Sequence, residues 1–328
     1  MATFREQELD FYNDYIRLAG TLLLPESPGP HAAVVLIHGS GRGVRSEYLS
    51  EALPFVDHGF AALVYDKRGC GESDGDWLKM ADMEHSFPTL AEDAAAGLRQ
   101  LQSLHVIDPD RIGFWGFSQG GWLGPLAASN TPKTAFVISV SGSGVGGHEQ
   151  MDFYVNNRLA SEGCTPSEIE HALNERRRAW NLAREIAVTA RGWDEIRDLV
   201  LQAPQTKWAD FVPGLAFDDI NLLESNLRPF IEILARDPDF RYDPIPALEQ
   251  TRCPVLAIWG QIDTVVPVEK SVAVYREALD RASNDDVTIR VFPEAGHDLR
   301  ISDGSKAPGY QEAMTDWLRA RVGIAPTD

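Results

Sequence analysis

Four short, almost unbroken apolar runs, at residues 33–37, 61–65, 112–115 and 135–140, alternate with stretches of helical spacing at 47–57, 90–104 and 120–129. An apolar residue at nearly every position, rather than at every second one, marks a strand covered on both faces, as happens where helices pack on either side of a parallel sheet. Strand and helix in alternation therefore predict an α/β protein with a mostly parallel central sheet flanked by crossover helices. The rhythm stops after residue 142 and resumes with runs at 255–259 and 287–292 and helices at 269–281 and 310–321. The opening segment, 9–24, reads as one or two antiparallel strands before the proline-rich turn at 25–30.

The interruption predicts an inserted helical cap, or lid, over 143–250, carried by a core domain made of 1–142 and 251–328. Thr165 is placed to cap a helix, with Pro166 at its first position and Glu168 completing a capping box. Ile169, Ala172, Leu173, Arg176, Trp180, Ala183 and Ala187 then share one stripe, and Trp193, Ile196, Leu199 and Val200 repeat the spacing in a shorter helix. Aromatic residues of this insertion, Trp180, Trp193, Trp208, Phe211, Phe217 and Phe230, are candidates both for packing between cap helices and for lining an apolar cavity.

Composition narrows the function. The chain has 328 residues with 44% apolar content, enough for a large buried core, and its 30 basic against 49 acidic residues give a net charge of -19. Such a surface repels nucleic acid and anionic membranes, so neither is expected as a partner. The first fourteen residues lack the apolar stretch of a secretory signal, and no run is long enough to span a bilayer. Three widely spaced cysteines, Cys70, Cys164 and Cys253, form no CxxC pair, which favours a reduced, cytoplasmic setting and gives no sign of a bound metal. A homo-oligomer stays open.

Gly116-Phe117-Ser118-Gln119-Gly120 matches G-x-S-x-G and stands between an apolar strand and a helix. A sharp turn there projects a serine hydroxyl clear of the sheet at a helix N-terminus, where developing negative charge is favoured. Acyl transfer also needs donors for an oxyanion, and the backbone N–H groups of Ser40, in His38-Gly39-Ser40-Gly41, and of Gln119 are the candidates. His38 itself comes too early for the general base; the alternative to an oxyanion segment here is a flexible turn with His38 packing below it. Among eight histidines, His297 follows the last predicted strand beside Gly296 and is the expected base, with His148 its main rival. His31, His58, His85, His105 and His171 are expected at the surface. Asp263, in the loop after the strand at 255–259, is the expected carboxylate, ahead of Asp298 and Glu294. Pro125 falls inside the helix after Ser118, where it removes a backbone hydrogen bond and calls for compensation, such as a kink eased by Gly124.

Together, His38-Gly39-Ser40-Gly41, the segment from Asp66 to Ser73 (DKRGCGES), Gly116–Gly120, Gly260-Gln261-Ile262-Asp263 and Gly296-His297 resemble the α/β-hydrolase superfamily over nearly the whole chain outside the cap. The stretch from Ser118 to Ala128 is further similar to bacterial esterases and serine aminopeptidase-like hydrolases. The order serine, aspartate, histidine along the chain is that of the superfamily's triad. The resemblance implies a structural role for Asp66 and Arg68 in tying loops together. The function expected is a serine hydrolase that cleaves a carboxylic ester of a small or medium-sized substrate through an acyl-enzyme, with no metal or cofactor. An aminopeptidase, a thioesterase or a carbon–carbon bond hydrolase would use the same residues, and Glu149 and Asp152 are candidates for binding a substrate amine. A small-molecule receptor with a vestigial site is the reading from a different class.

Overall fold

The structure, a computed structural model, describes residues 3–78, 83–202 and 242–322. An eight-stranded sheet has the order β1-β4-β6-β5-β7-β8-β9-β10, where β1 is Phe4–Glu8, β4 Gly20–Pro25, β5 His31–Ile37, β6 Ala61–Tyr65, β7 Ile107–Phe117, β8 Val137–Val140, β9 Val255–Gly260 and β10 Val287–Phe292. Only β1 with β4 and β4 with β6 pair antiparallel; every other neighbour is parallel, as the continuous apolar runs predict. The opening segment is cut finer than expected: β1 and β4 bracket a separate ribbon of β2 (Phe11–Asn13) and β3 (Ile16–Leu18). Asp14, with φ 51°, makes its tight turn.

Alternate residues of one strand divide the core. Ala33, Val35 and Ile37 of β5 face a layer with α2 (Met83–Gln102) and α3 (Gln119–Ser129), which supply Phe87, Leu98 and Leu123. Ala32, Val34 and Leu36 face the other side, where α1 (Leu49–Asp57) brings Phe55 and Val56 and the last helix, Tyr310–Val322, brings Met314 and Leu318. Removal of these side chains from water is the main favourable contribution to the fold.

Pro125 sits inside a continuous α3, and its compensation is found in side chains. A proline at this position leaves the carbonyl of Gly121 without its helical donor. That oxygen accepts instead from Ser139 Oγ of β8 at 3.0 Å and from Tyr275 Oη at 3.2 Å, and these two hydroxyls are 2.9 Å apart.

The chain leaves the sheet after β8 through a turn pinned by two indoles, Trp259 Nε1 to Gly142 O at 2.8 Å and Trp122 Nε1 to Ser143 O. Among the described residues, α4 (Gly147–Ser161), α5 (Pro166–Thr189) and α6 (Trp193–Gln202) follow. The capping box forms as predicted, with Glu168 N–H donating to Thr165 Oγ1 and Thr165 N–H to Glu168 Oε2. Ile169, Ala172 and Arg176 of the predicted stripe are buried. The side chains of Trp180, Ala183, Ala187, Leu199 and Val200, and all of Trp208, Phe211, Phe217 and Phe230, lie outside the described residues. The chain rejoins the sheet through α7 (Ile245–Gln250) and continues through β9, α8 (Val268–Arg281) and β10 to α9 (Tyr310–Val322).

Candidate active site

Ser40, Ser118, Gln119, Asp263 and His297 all follow the carboxyl ends of parallel strands. Ile37 pairs with Gly116, Gly116 with Ser139 and Val140 with Ile258, so the loops after β5, β7, β8 and β9 emerge side by side. Ser118 occupies the turn between β7 and α3 with φ 55° and ψ -112°. The chain can turn this sharply because its two flanking glycines lack Cβ atoms. A Cβ at Gly116 would lie 1.9 Å from the carbonyl oxygen of Gly120, and one at Gly120 would lie 2.3 Å from that of Ile37. Holding a serine in this conformation costs about 1–3 kcal/mol.

The structure brings Ser118, His297 and Asp263 together. His297 Nε2 is 2.9 Å from Ser118 Oγ, and its Nδ1 is 2.7 Å from Asp263 Oδ2. The other carboxylate oxygen of Asp263 accepts from Val265 N–H at 2.7 Å and Val266 N–H at 2.9 Å. The Asp263 side chain is fully buried and that of His297 is 20% exposed. A further bond from Ser141 Oγ to His297 O, 2.6 Å, ties the histidine loop to the end of β8. A carboxylate on Nδ1 favours the tautomer whose Nε2 can accept the serine proton.

The rival groups are engaged elsewhere. Asp298 pairs with Arg300 at 3.2 Å, and Glu294 forms a positive-φ turn. His148 lies on α4, 3.7 Å from Asp152. The carboxylate of Asp152 also binds Arg176 and Arg177, and Glu149 pairs with Lys270, so both acidic candidates for a substrate amine have cationic partners. His31 departs from expectation: it opens β5 and is buried rather than surface-exposed, and burial lowers its pKa.

His38 packs between Tyr48 at 4.2 Å and Tyr65 at 5.5 Å between ring centres. It is 1% exposed, with no hydrogen-bond partner on either ring nitrogen, and burial with the nearby Lys67 charge pulls its pKa to about 3. Above it, Gly39 N–H donates to Tyr48 Oη at 2.7 Å. Among the described residues, the backbone N–H groups of Ser40 and Gln119 donate to no protein acceptor. Ser40 and Gln119 share with Ser118 and His297 a cavity of about 450 Å³. Trp122, Met151, Tyr154, Val265 and Val266 supply much of its apolar wall.

The segment after β6 ties loops together as the resemblance implied. Asp66 accepts from Arg45 N at 2.6 Å, Arg45 Nη1 at 3.0 Å and Glu72 N at 2.9 Å. Arg68 makes a forked pair with Asp93 of α2, at 2.8 and 2.5 Å, and is not among the residues that line the cavity. Sequence reasoning missed Tyr48, Lys67 and the α4 residues Gln150, Met151 and Tyr154. The only available signal for Lys67 was its place directly beyond a strand end. Among the described residues no cluster of His, Cys, Asp and Glu could hold a metal ion, and no helix is long and apolar enough to cross a membrane.

The sheet order, the strained serine turn and the hydrogen-bonded serine, histidine and aspartate define an α/β hydrolase. The sequence profile of the alpha/beta hydrolase family matches residues 34–306, and the chain belongs to that family. It is 26% identical over 275 residues to the acyltransferase drtE of Aspergillus calidoustus, covering 82% of each chain. It is also 23% identical over 290 residues to the 2-hydroxy-6-oxononadienedioate/2-hydroxy-6-oxononatrienedioate hydrolase of Paraburkholderia xenovorans, covering 87% of this chain and 86% of that one. Among solved structures, an esterase of Pyrococcus furiosus superposes with a TM-score of 0.62 at 16% identity, covering 98% of this chain and 92% of its own, a likeness of fold.

Proposed function

We propose that this chain is a serine hydrolase that cleaves a carboxylic ester of a small or medium-sized substrate, with Ser118 as nucleophile, His297 as general base and acid, and Asp263 as the group that orients the histidine. The observation that carries this reading is the unbroken relay from Ser118 Oγ through His297 to Asp263, at 2.9 and 2.7 Å, opening into a largely apolar cavity.

In the proposed cycle, His297 Nε2 takes the Ser118 proton as Oγ attacks the ester carbonyl carbon. The carbonyl π electrons move to its oxygen, which the N–H groups of Ser40 and Gln119 stabilise. The tetrahedral species collapses, the ester C–O bond breaks, and His297 returns the proton to the departing alcohol. Water then attacks the acyl-enzyme with the same histidine as base, releasing the carboxylic acid and restoring the serine.

Residues 143–250 serve in this reading as a cap over the acyl or alcohol group, supported by Gln150, Met151 and Tyr154 of α4 in the cavity wall. Three unpaired cysteines fit a reducing, cytoplasmic setting. The salt bridges of Glu149 and Asp152 weigh against an aminopeptidase that would use them to hold a substrate ammonium. A thioester or an alcohol acceptor would pass through the same acyl-enzyme, and the acyltransferase relative keeps that variant in view.

The test is a panel of p-nitrophenyl esters and aminoacyl anilides, with a fluorophosphonate probe. Ester turnover and labelling at Ser118 are expected, and Ser118→Ala should lower kcat by about four to six orders of magnitude while remaining folded. A folded wild-type protein that the probe leaves unlabelled would favour a receptor and end the reading.

A further inference from the structure

Lys67 is 4% exposed, and its ammonium donates to Gly39 O at 2.5 Å, Gly41 O at 3.1 Å and Gln119 Oε1 at 2.8 Å. An ammonium has three donors, so these bonds use all of them. They join the two segments whose backbone N–H groups are assigned above to the oxyanion. An ammonium is an expensive group to bury, and a methionine of similar length would pack here without that penalty. The cation is therefore better explained by the acceptors it holds than by filling space.

The geometry of one peptide says what holding them achieves. Gly39 C=O and Ser40 N–H belong to the same planar trans unit and point in opposite directions. An ammonium that draws the carbonyl inward turns the N–H outward, toward the cavity that Ser40 shares with Ser118. The preceding peptide is fixed as well, because Gly39 N–H is held by Tyr48 Oη. On the opposite wall, the bond to Gln119 Oε1 clasps the residue that offers the second N–H. A positive charge on the carbonyl side also polarises the Gly39–Ser40 peptide and strengthens its N–H as a donor.

We propose that Lys67 is a positioning residue for the oxyanion hole, holding the Ser40 and Gln119 N–H groups at the spacing the tetrahedral oxygen requires. It acts through the backbone and touches no substrate. The inference rests on the reading of Ser118 as nucleophile, so its experiment separates the two. Lys67→Met and Lys67→Gln are compared with wild type for kcat, KM, end-point fluorophosphonate labelling and affinity for two ketones matched to the best ester. A trifluoromethyl ketone adds to the serine and places an oxyanion in the hole, whereas the methyl ketone stays in its carbonyl form.

Lys67→Met should lower kcat about 100-fold, weaken the trifluoromethyl ketone by a similar factor, and leave KM and the methyl ketone within about threefold. Lys67→Gln, a neutral donor, should fall between, and it carries the same comparison should Lys67→Met not fold. Labelling of Ser118 should still reach one probe per chain. A folded variant with kcat within about threefold of wild type, or with both ketones weakened equally, would reduce Lys67 to a structural stitch and overturn the proposal. Absence of labelling in the wild type would instead remove the reading of Ser118 on which it stands.

Discussion

At the scale of single residues, the site stores strain where chemistry is proposed. Ser118 has φ 55°, a region that penalises any side chain, and its two glycine neighbours only clear the space around it. Ser118→Gly should therefore relieve the backbone, whereas Ser118→Ala keeps the Cβ and its penalty. Both lose the hydroxyl and the bond to His297, so the difference between them isolates the strain. Ser118→Gly is expected to be more stable than Ser118→Ala by about 1–3 kcal/mol, measured as a shift in urea midpoint at constant slope. Equal midpoints would mean that the turn is relaxed with a serine in place. The serine, the histidine and the aspartate were legible in the sequence because each follows a strand end, where a parallel sheet gathers its loops. Lys67 was not, since a lysine beyond a strand is ordinarily a surface residue. Its role depends on three acceptors that only the folded chain brings to one point.

Elements show the same division. The strands flanked by helices could be read directly, because burial on both faces leaves almost no polar position in the run, Ser139 being the exception in β8. The ribbon of β2 and β3 was merged into its neighbours because its three-residue strands are too short for a periodicity to register. Helix α4 went unread because Asn156 and Asn157 interrupt its apolar spacing and no capping side chain announces its start. The misfit of Pro125 was visible in sequence, but not its remedy, which comes from Ser139 and Tyr275 in other elements. A double-mutant cycle tests that remedy. Ser139→Ala should destabilise the wild type by about 1–2 kcal/mol, since it thins the donors around a buried carbonyl. In a Pro125→Ala background the restored N–H of residue 125 takes the Gly121 oxygen, and the same change should cost less. Identical losses in both backgrounds would refute the compensation.

For the whole molecule, two buried bases give stability a pH dependence of known sign. His38 is held near a pKa of about 3 against an ordinary 6.5. Between those values the unfolded chain binds the extra proton, so this contribution is intact above pH 6.5 and is lost as pH falls toward 3. His38→Leu should flatten that acid limb in urea midpoints taken from pH 7 to 4. Lys67 acts at the other end, pulled by burial to about 8 from 10.5, with Cys70, Glu47 and the neutral His38 as its titratable neighbours. Here too the unfolded chain holds the proton longer, so stability should rise from pH 8 to 10.5. If Lys67 holds the oxyanion donors, kcat should fall as pH rises through about 8, because the neutral amine has lost one of its three N–H groups. Turnover that holds or rises through pH 8 would contradict the assignment. The largest architectural fact, one sheet with an interruption after β8, was readable from rhythm alone, whereas the wall of the cavity was not.

Val137 pairs with Val255 and Val140 with Ile258, although the chain between these neighbouring strands is far longer than a crossover requires. The entropy of closing such an excursion grows only logarithmically, by roughly 0.6 kcal/mol for each doubling of its length. The length of this connection can therefore drift at little entropic cost while the strands on either side of it keep their register.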